Sequence, residues 1–216
     1  IKNNEIPNMT ISMIGRKAEI GENGGQQRFN QFGLTGCLTF YQVVFEETKI
    51  EASNGVCEDS VNIVSSRGTI ETIHVDTSFS DAIDSDFSHL EIEKVRVNKA
   101  GNDCIDVSGG VYSVFEAQLT ECSDKGISVG ENSSVKVGKI SVDTAKIGAS
   151  SKDFSDLTIN QFKAENVETC LEANHKKQEF GGGRIDINIE NCDRAKVLHD
   201  LNSVIILGGD RFELSD

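Results

Sequence analysis

A 22-residue echo constrains this chain more than any other feature. Asp59 opens DSVNIV, Asp81 opens DAIDSD, Asp103 opens DCIDVS and Lys125 opens KGISVG, each 22 residues after the last. Ile147 (IGASSK) and Thr169 (TCLEAN) continue the series at the same step. Internal self-similarity at such a period is the mark of a repeat architecture. The columns follow strand logic. Val61, Ile83, Ile105, Ile127, Ala149 and Leu171 share one column, and Ile63, Ser85, Val107, Val129, Ser151 and Ala173 share another two residues on. Side chains two apart point to one face of a strand, so both columns are expected to face inward. The intervening Asn62, Asp84, Asp106, Ser128, Ser150 and Glu172 are expected to face solvent. A column of small residues, Ser60, Ala82, Cys104, Gly126, Gly148 and Cys170, suits a tight corner just before the strand.

A second strand recurs in step. Ile70, Ile92 and Val114 form one column, and Val75, Val97 and Leu119 another. After a one-residue slip, Val135 aligns with Leu157, Val137 with Ile159 and Val142 with Ala164. Strands that match at this step must pair in parallel, and a parallel crossover normally needs a helix. No segment has a helical period. The remaining solution is an all-β fold, a right-handed parallel β-helix that climbs one strand spacing per coil. Roughly ten coils at ~4.8 Å predict a rod about 45–50 Å long.

One continuous domain is expected, with irregular N-terminal coils over 1–58 and regular coils over 59–216. Residues 21–30 read as a loop, the segment around Leu38 to Val44 as strand, and Val204 to Leu207 as a last strand. Ile185 lies 28 residues beyond Leu157, which places a loop insertion at 174–183 carrying His175, Lys176, Lys177 and Glu179. Insertions in a solenoid gather on one face, often the working face. The chain starts at Ile1 and shows neither a signal peptide nor an amphipathic cap helix. It is therefore expected to be a segment of a longer protein.

Composition narrows the partners. Lys plus Arg number 21 against 35 Asp plus Glu, a net charge of −14. That field repels nucleic acid and anionic lipid. No apolar run approaches the ~18 residues of a membrane span. A polysaccharide or a protein is the expected partner, and an extracytoplasmic or cell-surface setting the favoured one. The six cysteines, at 37, 57, 104, 122, 170 and 192, lack zinc spacing. Buried free thiols are the expectation, with a Cys37–Cys57 disulfide as the alternative.

The acids carry the candidate chemistry. Asp59, Asp81 and Asp103 lie on successive coils, as do Asp84 and Asp106, with Asp86 nearby. Stacked carboxylates repel, and a cation, a basic neighbour or shared protonation must compensate. Lys125 follows Asp103 in its column as such a neighbour. Asp81, Asp84, Asp103 and Asp106 offer several of the roughly six to eight oxygens of a Ca²⁺ site. No other cofactor is expected. A carboxylate pair can also serve glycoside hydrolysis, and a third reading is a solvated outer face.

SDAID at 80–84, GNDCIDV at 101–107 and KGISVG at 125–130 resemble the consecutive motifs of polygalacturonase-type glycoside hydrolases, right-handed parallel β-helices with the pectin-lyase-like fold. The resemblance covers about 50 residues. It implies inverting cleavage of a polyuronide, with Asp81 matching the first catalytic acid and Asp103 the later one. Asn102 stands in place of the remaining acid and Lys125 in place of the family's His, so the catalytic set is incomplete. More broadly the chain resembles bacterial right-handed β-helix repeat proteins. The first expectation is a polysaccharide-associated module that binds or scaffolds a glycan along an outward acidic strip of Asp81, Asp84, Asp103, Asp106 and Lys125. Lys152, His175, Lys176 and Lys177 join it as substrate-binding residues. The alternatives are a glycoside hydrolase with an altered catalytic set, using Asp81 and Asp103, and a structural spacer in a larger surface or glycan-biosynthesis protein.

Overall fold

The computed structural model describes residues 1–16, 31, 33–193 and 196–212. The expected loop over 21–30 lies outside the described residues. The strands, in chain order, are β1 (Glu5–Ile6), β2 (Thr10–Ile14), β3 (Gly36–Tyr41), β4 (Val44–Ser53), β5 (Asp59–Val64), β6 (Arg67–Val75), β7 (Asp81–Asp86) and β8 (His89–Val97). They continue with β9 (Ile105–Ser108), β10 (Val111–Gly130), β11 (Ser134–Lys152), β12 (Asp156–Asn174), β13 (Arg184–Asn191), β14 (Val197–His199), β15 (Val204–Leu207) and β16 (Asp210–Arg211). The described residues contain no α-helix.

The strands stack in parallel as a β-helix with about 22 residues per coil. One face, here face A, climbs from β3 through β5, β7 and β9 to the ends of β10, β11 and β12, and then to β14. Those eight rungs, rather than about ten, set the length of the rod. The difference arises at the ends: β1 and β2 pair only with β4, and the described residues end in an antiparallel β15–β16 hairpin. Face B runs through 67–70, 89–92, 111–114, 134–137, 156–159 and 184–187, and face C follows in each coil after a bend.

The inward columns are those the repeat dictates. Val61 pairs with Ile83, Ile83 with Ile105, Ile105 with Ile127, and Ile127 with Ala149. On face B, Val114 meets Val137, then Ile159 and Ile187, absorbing both the one-residue slip and the insertion. These side chains are buried and form one continuous core. Two polar members of the columns close on backbone instead: Ser85 Oγ donates to the Ile63 carbonyl at 3.2 Å and Ser151 Oγ to the Ser155 carbonyl at 2.9 Å.

A serine ladder fixes the corner from face A to face B. The hydroxyl of Ser66 accepts the Val43 amide, Ser88 that of Ser66, Ser155 that of Ser133 and Ser203 that of Gly183, at 3.0–3.1 Å. At the coil where Gly110 replaces serine, the Tyr112 hydroxyl lies 3.4 Å from the Ser88 amide and donates to the Ser85 carbonyl at 2.8 Å. Buried corner amides are thus satisfied one coil at a time.

The cysteines correct the free-thiol expectation. Three disulfides form, Cys37–Cys57, Cys104–Cys122 and Cys170–Cys192, and no free cysteine remains. Each one closes a single coil across its own cross-section instead of joining neighbouring coils. The uncrosslinked coils keep the same juxtaposition: Ser60 Oγ donates to Ser78 Oγ at 2.8 Å, at the positions equivalent to Cys104 and Cys122. The partner lies almost one full turn ahead in sequence, where a 22-residue alignment does not look for it.

Candidate ligand-binding strip on face A

Three of the acids expected to face outward do not. Asp59, Asp81 and Asp103 are 1%, 9% and 3% exposed. They sit where the chain enters face A; the carboxylates of Asp81 and Asp103 turn onto neighbouring backbone, while Asp59 Oδ2 is buried with no hydrogen-bond partner. Asp81 Oδ1 accepts the Asp103 amide and the Asn102 side-chain amide, both at 2.8 Å. Asp103 Oδ1 accepts the Lys125 amide at 2.9 Å and lies 3.5 Å from the Lys125 ammonium, which also pairs with Asp124. Burial pushes Asp59 and Asp81 up to about 6 and Asp103 to about 7, the last against the pull of Lys125.

The outward row of face A stacks in register as Asn62, Asp84, Asp106, Ser128, Ser150 and Glu172. Its members are less open than expected. Asn62, Ser128 and Ser150 are buried and the acids half-buried, because stacked neighbours cover them at each rung. Asn62 Nδ2 donates to Asp84 Oδ2 at 3.1 Å, and Ser150 Oγ to Glu172 Oε2 at 3.4 Å. Burial, then repulsion from Asp86, Asp59, Asp106 and Asp81, lifts the Asp84 carboxyl to about 9. Asp84 therefore carries its proton at neutral pH. Asp86 is raised to about 6 by burial and by Asp106 and Glu131. Asp106 Oδ1 is buried with no hydrogen-bond partner.

Lys152 lies down along this row. Only 9% exposed, it donates from Nζ to Ser128 Oγ at 2.7 Å. A Cβ on Gly130 would stand 2.8 Å from Lys152 Cε, so the glycine clears its path.

The insertion is pinned against the same edge. Asp153 Oδ1 accepts the amides of Lys176 and Lys177, each at 2.8 Å, and Asp200 Oδ2 accepts that of His175 at 2.7 Å. Lys177 pairs with Glu131, 46 residues earlier, and Phe180 meets Phe154 edge to face with centroids 6.2 Å apart. The candidates thus fall into two groups. Asp84, Asp106 and Lys152 lie on the row, with Lys177 at its margin. Asp81, Asp103 and Lys125 form a hydrogen-bonded column at the strand entrances, and the backbone of His175 and Lys176 anchors the loop. Among the described residues, no group of His, Cys, Asp or Glu has an arrangement that would hold a metal ion.

Sequence reasoning passed over the aromatic rim. The corner after face A is turned by left-handed residues: Ser65, Phe87 and Gly109 singly, then the pairs Glu131–Asn132 and Asp153–Phe154, with φ from 50° to 64°. Glycine and asparagine adopt this region readily, but a bulky side chain there is an outlier. Phe87 and Phe154 are nonetheless 59% and 57% exposed. Phe87 lies across Gly109, where a Cβ would come within 2.6 Å of the ring. The signal in the sequence was two phenylalanines at a corner position otherwise held by small polar residues or glycine.

Comparison with known proteins gave no match to a family model, a curated protein or a solved structure.

Proposed function

We propose that this chain is a polysaccharide-associated β-helix module that binds an extended, uncharged glycan along face A. The observation that carries the reading is the pair of exposed phenyl rings, Phe87 and Phe154, at the rim of a ladder of polar side chains. A phenylalanine in the left-handed region costs on the order of 1–2 kcal/mol. An exposed ring recovers little of that by burial, so its placement fits a surface built for contact. Ring faces pack on the C–H faces of sugars. Beside the rings, the half-buried carboxyls of Asp84, Asp106 and Glu172 are the open members of the row and suit hydroxyl groups. The concentration of acidic side chains on this face, Asp86 beside the row and Asp106 and Glu172 on it, disfavours a polyuronide. Three disulfides suit an oxidising compartment, in line with an extracytoplasmic setting. No helix among the described residues is long and apolar enough to cross a membrane.

The test is titration calorimetry with neutral and uronic oligosaccharides. A neutral oligomer should bind, and Phe87→Ala and Phe154→Ala should each weaken it by about tenfold without changing the melting temperature by more than a few degrees. Failure of every oligosaccharide to bind, or binding insensitive to both substitutions, overturns the reading and leaves a spacer.

One observation favours a second reading, glycan hydrolysis. A proton-bearing carboxyl at Asp84 beside a lower carboxyl at Asp86 separates two acids into donor and base roles. The family-matched acids, Asp81 and Asp103, would complete that set. Release of reducing ends that is lost in both Asp84→Asn and Asp103→Asn supports hydrolysis. Turnover surviving both substitutions removes these acids from it.

A further inference from the structure

Face B carries a trough of its own. In each coil two outward side chains, two residues apart, flank an inward aliphatic residue whose backbone makes the floor. Glu91 and Glu93 flank Ile92, Ser113 and Phe115 flank Val114, and Thr158 and Asn160 flank Ile159. Two cavities of about 540 Å³ and 390 Å³ follow this line and share Ser113 and Phe115. Phe115 stands at the divide, 73% exposed, the most exposed aromatic ring among the described residues. Gly138, its neighbour on the next coil, has no side chain to cover the ring, and a Cβ there would sit 2.6 Å from the Phe115 carbonyl oxygen.

The two halves of the trough differ in charge. On one side of Phe115 lie Glu47, Glu71, Glu91 and Glu93. Glu71 is paired with Lys49 at 2.9 Å. Glu47, Glu91 and Glu93 make no ion pair among the described residues. The other half is polar, with Lys136, Thr158, Asn160 and Asn188, and Asn188 Nδ2 donates to Asn160 Oδ1 at 3.0 Å.

We propose that this trough is a second binding site, for a cationic aminoglycan: a polymer of amino sugars whose free amines are protonated. Unpaired carboxylates select ammonium groups, the bare Phe115 ring takes the C–H face of one sugar, and the Ser, Thr and Asn side chains meet hydroxyls. A basic peptide fits less well. The floor strands are interior to a parallel sheet, so their backbone groups are already paired and offer no edge for strand addition. The site lies on a different face from the strip of Phe87 and Asp84 and stands independently of it.

The test is calorimetry of the folded chain with a glucosamine hexamer at low salt near pH 6, against its fully N-acetylated counterpart and against pentalysine. The glucosamine hexamer should bind, the acetylated one at least tenfold more weakly. Phe115→Ala and the double variant Glu91→Gln, Glu93→Gln should each weaken binding by about tenfold or more, while Phe87→Ala and Asp84→Asn leave it unchanged. Equal binding of the acetylated oligomer overturns the proposal, as does affinity insensitive to Phe115. Pentalysine binding with the same Phe115 dependence reassigns the trough to peptides and equally overturns it. Loss through Phe87 or Asp84 alone moves the amine to face A. Conversely, loss of the face A glycan with this pattern intact removes only the first reading. Phe115, Glu91 and Glu93 are exposed, so an unchanged melting temperature separates lost binding from lost structure.

Discussion

Asp81 and Asp103 occupy the same position in successive coils, and the carboxylate of the first accepts the backbone amide of the second at 2.8 Å. The contact repeats one coil on, from Asp103 to the amide of Lys125. An aspartate here acts as a bracket between rungs, because its short side chain reaches one strand spacing along the axis. Asp81→Ala orphans a buried amide and should cost about 1–3 kcal/mol in denaturant unfolding. Asp81→Asn keeps an acceptor oxygen and should cost less. Equal losses for the two would show that the amide contact contributes nothing.

Stability should fall as pH rises. Burial raises Asp59, Asp81 and Asp86 to about 6, Asp103 to about 7 and Asp84 to about 9, all from 3.8. The folded state therefore binds protons that the unfolded chain releases. The stabilisation these groups give is fully present below about pH 4 and is lost as pH climbs through 6 to 9. Asp200 runs the other way at the acid end. Despite some desolvation, hydrogen bonds with Ser203, His175 and Asn202 hold it below its ordinary value. The melting temperature should drop by several degrees between about pH 5 and pH 9. Asp84→Asn should flatten the alkaline part of that fall and raise melting at the alkaline end. A melting temperature that climbs with pH over this range contradicts the raised carboxyls.

Reduction should loosen the rod without dissolving its register. The disulfides close loops of 18 to 22 residues. Loops of this length are worth about 3 kcal/mol each in the chain-entropy account. Cys104→Ala with Cys122→Ala should lower unfolding free energy by about that amount, and circular dichroism should keep its β signature. The uncrosslinked Ser60–Ser78 coil shows that the corner closes without sulfur. Thiol titration of the denatured, unreduced chain should find no free thiol, and six reactive thiols would refute the pairing.

Gly126→Val tests the corner column directly. A Cβ there would lie 2.5 Å from the Gly148 carbonyl oxygen and 2.7 and 2.8 Å from the Val142 methyls. Backbone on one side and buried valine on the other leave no room to yield. Overpacking of this kind costs roughly 1–3 kcal/mol or more, read as a lowered denaturant midpoint. Melting equal to the parent would mean that this column does not lie at the tight corner.

The stacking along the axis was legible from the residues alone. A step of 22 placed Val61 under Ile83 and Ile105, a slip of one came before Val135 and the step of 22 then resumed to Leu157, and a jump of 28 marked the insertion before Ile185. Parallel rungs pair like position with like position, so axial neighbours write themselves into the sequence as a period. Tertiary structure alone decided what meets across one coil and where each corner turns. It buried Asp59, turned Asp81 and Asp103 onto backbone, joined Cys104 to Cys122, and left Phe87, Phe154 and Phe115 exposed. Those outcomes depend on corner angles set by left-handed residues as different as Ser65, Phe87 and Asn132. Backbone angle, unlike inward burial, leaves only a weak imprint on residue type.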